Sequence, residues 1–127
     1  MDECERVVIC SGQVYTSLHK HRATHGIDNV GITRVEQLHP FPYAQLAKNL
    51  ERYPNAKEIL WVQEEPLNAG AWSFVRPRME TVLRETSMHG DKVIKYAGRA
   101  PSASVATGTK SAHIKEEQDF LNAALVF

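Results

Sequence analysis

Four short apolar runs alternate with four stretches of helical periodicity along the chain. The first run, Arg6-Val7-Val8-Ile9-Cys10-Ser11, is apolar at successive rather than alternate positions, the pattern of a strand covered on both faces. Gly12 follows, and a helix is expected from Val14 to His25 with Gly26 as its C-terminal cap. Its apolar stripe is narrow, Val14 and Leu18 among mostly polar residues. Asn29 to Val35 predicts a second strand. Pro42 suits the first turn of a second helix, where its missing N–H would be unpaired in any case. Leu46, Ala47, Leu50 and Tyr53 mark one face of that helix, and Pro54 and Asn55 stop it. Glu58 to Glu65 predicts a third strand, apolar on both faces from Ile59 to Val62 and acidic at its end. Trp72, Val75, Met79, Val82 and Leu83 predict a helix over Ala71 to Glu85. Pro77 lies inside it, at a cost of roughly 3 kcal/mol in a helix interior, so a kink or a start near Arg76 is expected. Lys92 to Ala97 predicts a fourth strand, and Gly98 to Lys110 a loop of small residues. Ser111 to Leu125 predicts a last helix, with Ile114, Leu121 and Leu125 on one face and Glu116 and Glu117 near its positive end.

This order, β-α-β-α-β-α-β-α, sets the fold class as α/β: three layers, a mostly parallel sheet of four to five strands, helices on both faces. Parallel strands end on one rim, and open α/β sheets bind ligands there. Ser11, Arg34 to Glu36, Glu64, Glu65 and Arg99 all fall at or just past predicted strand ends.

The chain has 127 residues, 43% of them hydrophobic, enough for one core and one domain spanning residues 1–127. Fifteen basic residues balance fifteen acidic ones, which gives no general pull toward nucleic acid or an anionic membrane. The apolar runs are four or five residues long, far short of the roughly twenty needed to cross a bilayer. Met1 to Arg6 is acidic, and no targeting segment is expected there. Cys4 and Cys10 make no disulfide framework and read as free thiols.

Most candidate motifs have plain readings. His21 and His25 are four apart on a helix but lack the carboxylate of a zinc-protease motif, and they read as solvated surface, as do His113 and Glu116. Gly108-Thr109-Lys110-Ser111 lacks the adjacent Gly-Lys of a nucleotide-binding P-loop. It remains either a plain loop or an anion cradle at a helix N-terminus. Glu64 and Glu65 point to opposite faces of a strand and cannot form a facing acid–base pair. Cys10 and Ser11 become nucleophiles only beside a base; a buried thiol and a helix-capping hydroxyl are the plainer expectation. Trp61 reads as core, whereas Trp72 and Phe74 are candidates for docking onto another domain.

Three long motifs occur in order. They are Thr33-Arg34-Val35-Glu36-Gln37-Leu38-His39-Pro40-Phe41-Pro42, then Trp61-Val62-Gln63-Glu64-Glu65-Pro66 leading to Gly70-Ala71-Trp72, then Tyr96-Ala97-Gly98-Arg99 with Ala106-Thr107-Gly108. Together with Ser11-Gly12-Gln13-Val14-Tyr15 they resemble the C-terminal region of the E1 component of the 2-oxoglutarate dehydrogenase complex, from about Arg6 to Leu125. The resemblance implies a transketolase C-terminal-like fold. It implies a parent enzyme that decarboxylates 2-oxoglutarate on thiamine diphosphate with magnesium and passes succinyl to the lipoyl groups of E2. The motifs that hold that cofactor are absent from this chain, so no catalytic, cofactor or metal residue is assigned to it. The implied partners are the remaining E1 domains, the E1 homodimer and, through the parent, E2. The implied location is the mitochondrial matrix in a eukaryote or the cytoplasm in a bacterium. The resemblance also implies a regulatory site, since some bacterial members of the family bind acetyl-CoA or AMP where this domain contributes, and the candidate effector or anion site here is Ser11, Gly12, Gln13, Arg34 and Arg99. Many members carry Lys where this chain has Gln13, which removes one cationic contact. The plainer alternative pairs Arg34 and Arg99 with Glu36, Glu64 or Glu65. Two competing classes are a free-standing α/β module that binds a nucleotide or a protein, and a small enzyme using Ser11 or Cys10.

Overall fold

A computed structural model describes residues 3–66, 70–99 and 110–126, with backbone alone for 66, 99 and 110–116. Its elements are β1 (Arg6–Cys10), α1 (Val14–Thr24), β2 (Val30–Arg34), α2 (Tyr43–Leu50), β3 (Glu58–Pro66), α3 (Trp72–Glu85), β4 (Lys95–Arg99) and α4 (Lys110–Leu125). The four strands form one sheet in the order β2-β1-β3-β4, every neighbouring pair parallel.

Helices cover both faces. Val7, Ile9, Ile59 and Trp61 point to one side and pack with Leu46 and Leu50 of α2 and Val75, Met79 and Val82 of α3. Val8, Cys10, Leu60 and Val62 point to the other and pack with Val14 and Leu18 of α1 and Phe120, Leu121, Ala124 and Leu125 of α4. The alternation follows from the period of two along a strand. It explains why all five residues of β1 are buried and why that run carries no polar face. Trp61 is core, as expected.

Local signals set several boundaries. Gly26 adopts φ 61° just past α1, where the Gly26 and Ile27 N–H groups bond to Ala23 and Arg22 carbonyls and close the helix. Gly31 is required in β2 because a Cβ there would lie 2.6 Å from the Tyr53 ring. That ring belongs to the turn after α2, which ends at Leu50 rather than continuing to Pro54.

Other boundaries differ from expectation. α3 begins at Trp72 and runs through Pro77 rather than starting near Arg76. The burial of Val75 and Met79 on either side of the proline offsets its missing hydrogen bond. β4 begins at Lys95 rather than Lys92, because its pairing with β3 starts where Lys95 meets Leu60. α1 has Gln13 as its N-cap and no side-chain cap, so Ser11 does not cap it. α4 starts at Lys110 and has no acid in its first turn, which leaves Glu116 and Glu117 too far along to benefit from its dipole.

Candidate site at the C-terminal rim

From β1 the chain steps outward to β2, then returns past β1 to place β3 on its other side. The connections reverse there, and the crevice between the C-terminal ends of β1 and β3 is the natural ligand site of such a sheet. A cavity of about 520 Å³ occupies it. Ser11 and Gly12 come from the end of β1, Trp61, Gln63 and Glu65 from β3, and Leu38, His39, Gly70, Ala71 and Phe74 from the loops and α3.

Hydrogen bonds fix its floor. The buried Trp61 indole donates from Nε1 to Gln63 Oε1 at 2.9 Å, and Gln63 Nε2 donates to the Glu65 carbonyl at 3.2 Å. Gly70, at φ 71°, closes over this pair, and a Cβ there would sit 3.1 Å from Gln63 Nε2. α1 and α3 both begin at this rim, neither with a side-chain cap nor with an acid in its first turn.

Arg34 lines a different cavity, of about 750 Å³, between the end of β2 and α2. Val35, Phe41 and Leu46 give it apolar walls, and Gln37, Gln45 and Asn49 supply amides. The Arg34 guanidinium lies 5.5 Å from the centre of the Tyr15 ring. Among the described residues it forms no ion pair with Glu36, Glu64 or Glu65.

The five candidate residues are thus distributed. Ser11 and Gly12 line the crevice cavity and Arg34 the neighbouring one. Gln13 is the exposed N-cap of α1. Arg99 closes β4, and its side chain lies outside the described residues, as do those of His113 and Glu116 and the Gly108-Thr109-Lys110-Ser111 segment apart from its last two backbone positions. Cys10 pairs in register with Arg34, so the β2 end and the Ser11–Gln13 turn are neighbours.

Cys10 is not poised as a nucleophile. It is fully buried, and burial pushes its thiol up to about 12, offset only in part by the charge of Arg34. Cys4 is buried too, and both cysteines are free. A thiol reagent such as Ellman's at about pH 8 should therefore leave the native chain unlabelled and titrate both thiols after denaturation. Prompt labelling of the native protein at Cys10 would contradict this burial.

Two histidines have roles that the sequence did not reveal. His21 is buried rather than solvated: its Nε2–H donates to Asn122 Oδ1 of α4 at 2.9 Å. His89 is fully buried, with Nε2 donating to the Leu50 carbonyl at 3.1 Å. The partner in each case lies far along the chain, so no local pattern marks either residue. Among the described residues no group of three His, Cys, Asp or Glu side chains could hold a metal ion, and no helix is long and apolar enough to cross a membrane.

Comparison with known proteins matches residues 1–125 to the family model described as 2-oxoglutarate dehydrogenase C-terminal. The mitochondrial 2-oxoglutarate dehydrogenase of Schizosaccharomyces pombe is 54% identical over 125 residues, 98% of this chain and 12% of that protein. The mitochondrial 2-oxoglutarate dehydrogenase of Saccharomyces cerevisiae is 51% identical over 120 residues, 94% of this chain and 12% of the relative. The 2-oxoglutarate dehydrogenase E1 component of Brucella anthropi is 48% identical over 120 residues, with the same coverage of 94% and 12%. The chain spans about 12% of the length of the curated relatives it matches.

Proposed function

The chain belongs to the 2-oxoglutarate dehydrogenase C-terminal family, and from that premise we propose that residues 1–127 form one domain that closes a larger E1 polypeptide. The observation that carries the reading is the coverage: nearly all of this chain aligns with about 12% of each relative. The parent would decarboxylate 2-oxoglutarate and transfer succinyl to E2 lipoyl groups, assembled as an E1 homodimer. Its location would follow the source, the mitochondrial matrix in a eukaryote or the cytoplasm in a bacterium.

Thiamine diphosphate supplies the carbanion chemistry of that reaction when bound, with magnesium on its diphosphate. The described residues of this chain do not fit that pair. They hold no three-ligand cluster for the metal, and Glu64 and Glu65 at the rim diverge from one another. In this proposal the cofactor belongs to the other E1 domains, and no step of the reaction runs through this chain. Supplied with 2-oxoglutarate, thiamine diphosphate and magnesium, the isolated chain should release no carbon dioxide above background. Turnover at an enzyme-like rate would overturn the reading.

The domain's own role is to support the fold of the parent and to contribute to an effector site for acetyl-CoA or AMP. A phosphate would accept N–H bonds from the Ser11–Gly12–Gln13 turn at the start of α1 and a charge-assisted bond from Arg34, with Arg99 as a further candidate. The absence of an ion pair at Arg34 among the described residues supports this use of its charge. Charged hydrogen bonds contribute roughly 1.5–3 kcal/mol each. Two of them support weak binding after association costs. Titration of AMP or acetyl-CoA against the wild type and Arg34→Ala should show weak binding that the variant loses.

A further inference from the structure

The two faces of the sheet are finished differently at their margins. Around the α1–α4 core the partly buried apolar fringe is Tyr15, Ile27 and Ile32. Around the α2–α3 core it includes Phe41, Trp72, Phe74 and Tyr96, all of them aromatic. Phe41 and Phe74 belong to a connected row of side chains with the 37%-exposed Tyr43 at one end. Tyr43 meets Phe41 edge-on at 5.0 Å between ring centres, Phe41 meets Phe74 at 6.2 Å, and His39 lies 4.4 Å from Phe74. Arg78 then lays its guanidinium 3.5 Å from the centre of the Phe74 ring, held there by a 2.8 Å bond from Nη1 to the Phe74 carbonyl.

We propose that this row, from Tyr43 through Phe41 and Phe74 to Arg78, is the face on which the rest of an E1 polypeptide docks. The inference rests on the reading of the chain as the closing domain of such a polypeptide and adds which surface meets the remainder. Two observations carry it. About 88% of each relative's length lies outside the region matched by this chain, so a large partner is available in the same polypeptide. The row also has the make-up of an interface centre: rigid aromatic rings plus an arginine already held in place, which lowers the ordering cost of binding. Arg78 forms no ion pair among the described residues, so its charge is available to a carboxylate on the partner. Lys20, exposed on α1 on the opposite face of the sheet, provides a control position.

The test is association in trans. The chain is mixed with the Schizosaccharomyces pombe relative truncated so that it lacks the matching segment, and the dissociation constant is measured. Tyr43→Ser and Arg78→Glu should each weaken association at least about tenfold, with far-ultraviolet circular dichroism and urea midpoints close to wild type. Lys20→Glu should leave it unchanged. Association kept at wild-type strength in both row variants would overturn this inference alone, and its loss in Lys20→Glu would move the interface to the opposite face. No association between the folded wild-type chain and a truncated relative that circular dichroism and a cooperative urea transition show to be folded would remove the closing-domain reading along with it.

Discussion

Replacing Phe120 by alanine should bring the fold close to the edge of stability. Phe120 is among the largest fully buried side chains, 2% exposed, and sits in the core beneath α4 with Leu121, Ala124 and Leu125. Together with Val14 and Leu18 of α1, these four residues cover one face of the sheet, the side of Val8, Cys10, Leu60, Val62 and Ala97. Phe→Ala substitutions in cores cost about 3–5 kcal/mol, because transfer energy is lost and a cavity remains. A domain of this size has roughly 5–15 kcal/mol in total. The urea midpoint should therefore fall steeply at an unchanged slope, whereas Gln118→Ala, exposed on the same helix, should stay within about 0.5 kcal/mol of wild type. A loss below about 1 kcal/mol for Phe120→Ala would mean that α4 does not close this face in solution.

Phe120 also marks where sequence reading stops. The last helix was legible as an element, but its expected face was Ile114, Leu121 and Leu125, and Phe120 and Ala124 were not on it. The helix lies against the sheet on one side and α1 on another, so its buried arc is wider than a single stripe. β1 was legible for the opposite reason: a strand covered on both faces has only one pattern open to it, and Val7 to Cys10 show it. The start of β4 was not legible, because Lys92 to Ile94 have strand-like residues without a strand to pair with. At the site, the order of elements placed Ser11, Gly12 and Arg34 on one rim. Only the three-dimensional path of Leu38 to Pro42 shows that this segment lies between two cavities, with Leu38 and His39 on one and Pro40, Phe41 and Pro42 on the other. The buried histidines were hidden because what buries His21 is a helix about a hundred residues further on.

Arg6→Met should be the most costly polar substitution, and its cost should depend on pH. Arg6 opens β1 and is buried, yet its guanidinium finds at least three acceptors among the described residues. Nη1 donates to the Ala123 and Ala124 carbonyls at 2.8 and 3.0 Å, in the last turn of α4, where helix carbonyls lack partners of their own. Nη2 donates to Glu58 on β3 at 2.5 Å, and Lys95 on β4 reaches the same carboxylate at 3.4 Å. One side chain thus fastens the terminal helix to two strands. Methionine keeps an apolar stem in the same space but leaves the carbonyls and the carboxylate without the cation. Breaking a buried pair costs 3–5 kcal/mol, and about 3 is expected here because Glu58 remains 32% exposed to water. Burial by itself would raise the Glu58 carboxyl. The hydrogen bond and charge of Arg6, then those of Lys95, outweigh it and hold the carboxyl below its ordinary value. The unfolded chain therefore takes up this proton first as pH falls, near about 4.3. The stabilisation is present above that pH and is lost as pH drops through the lower native value. Urea midpoints of the wild type and Arg6→Met should be far apart at about pH 7 and draw together as pH falls below the unfolded carboxyl's value of about 4.3. A large gap at neutral pH that persists unchanged into acid would assign the effect to the α4 carbonyls alone and remove Glu58 from the account.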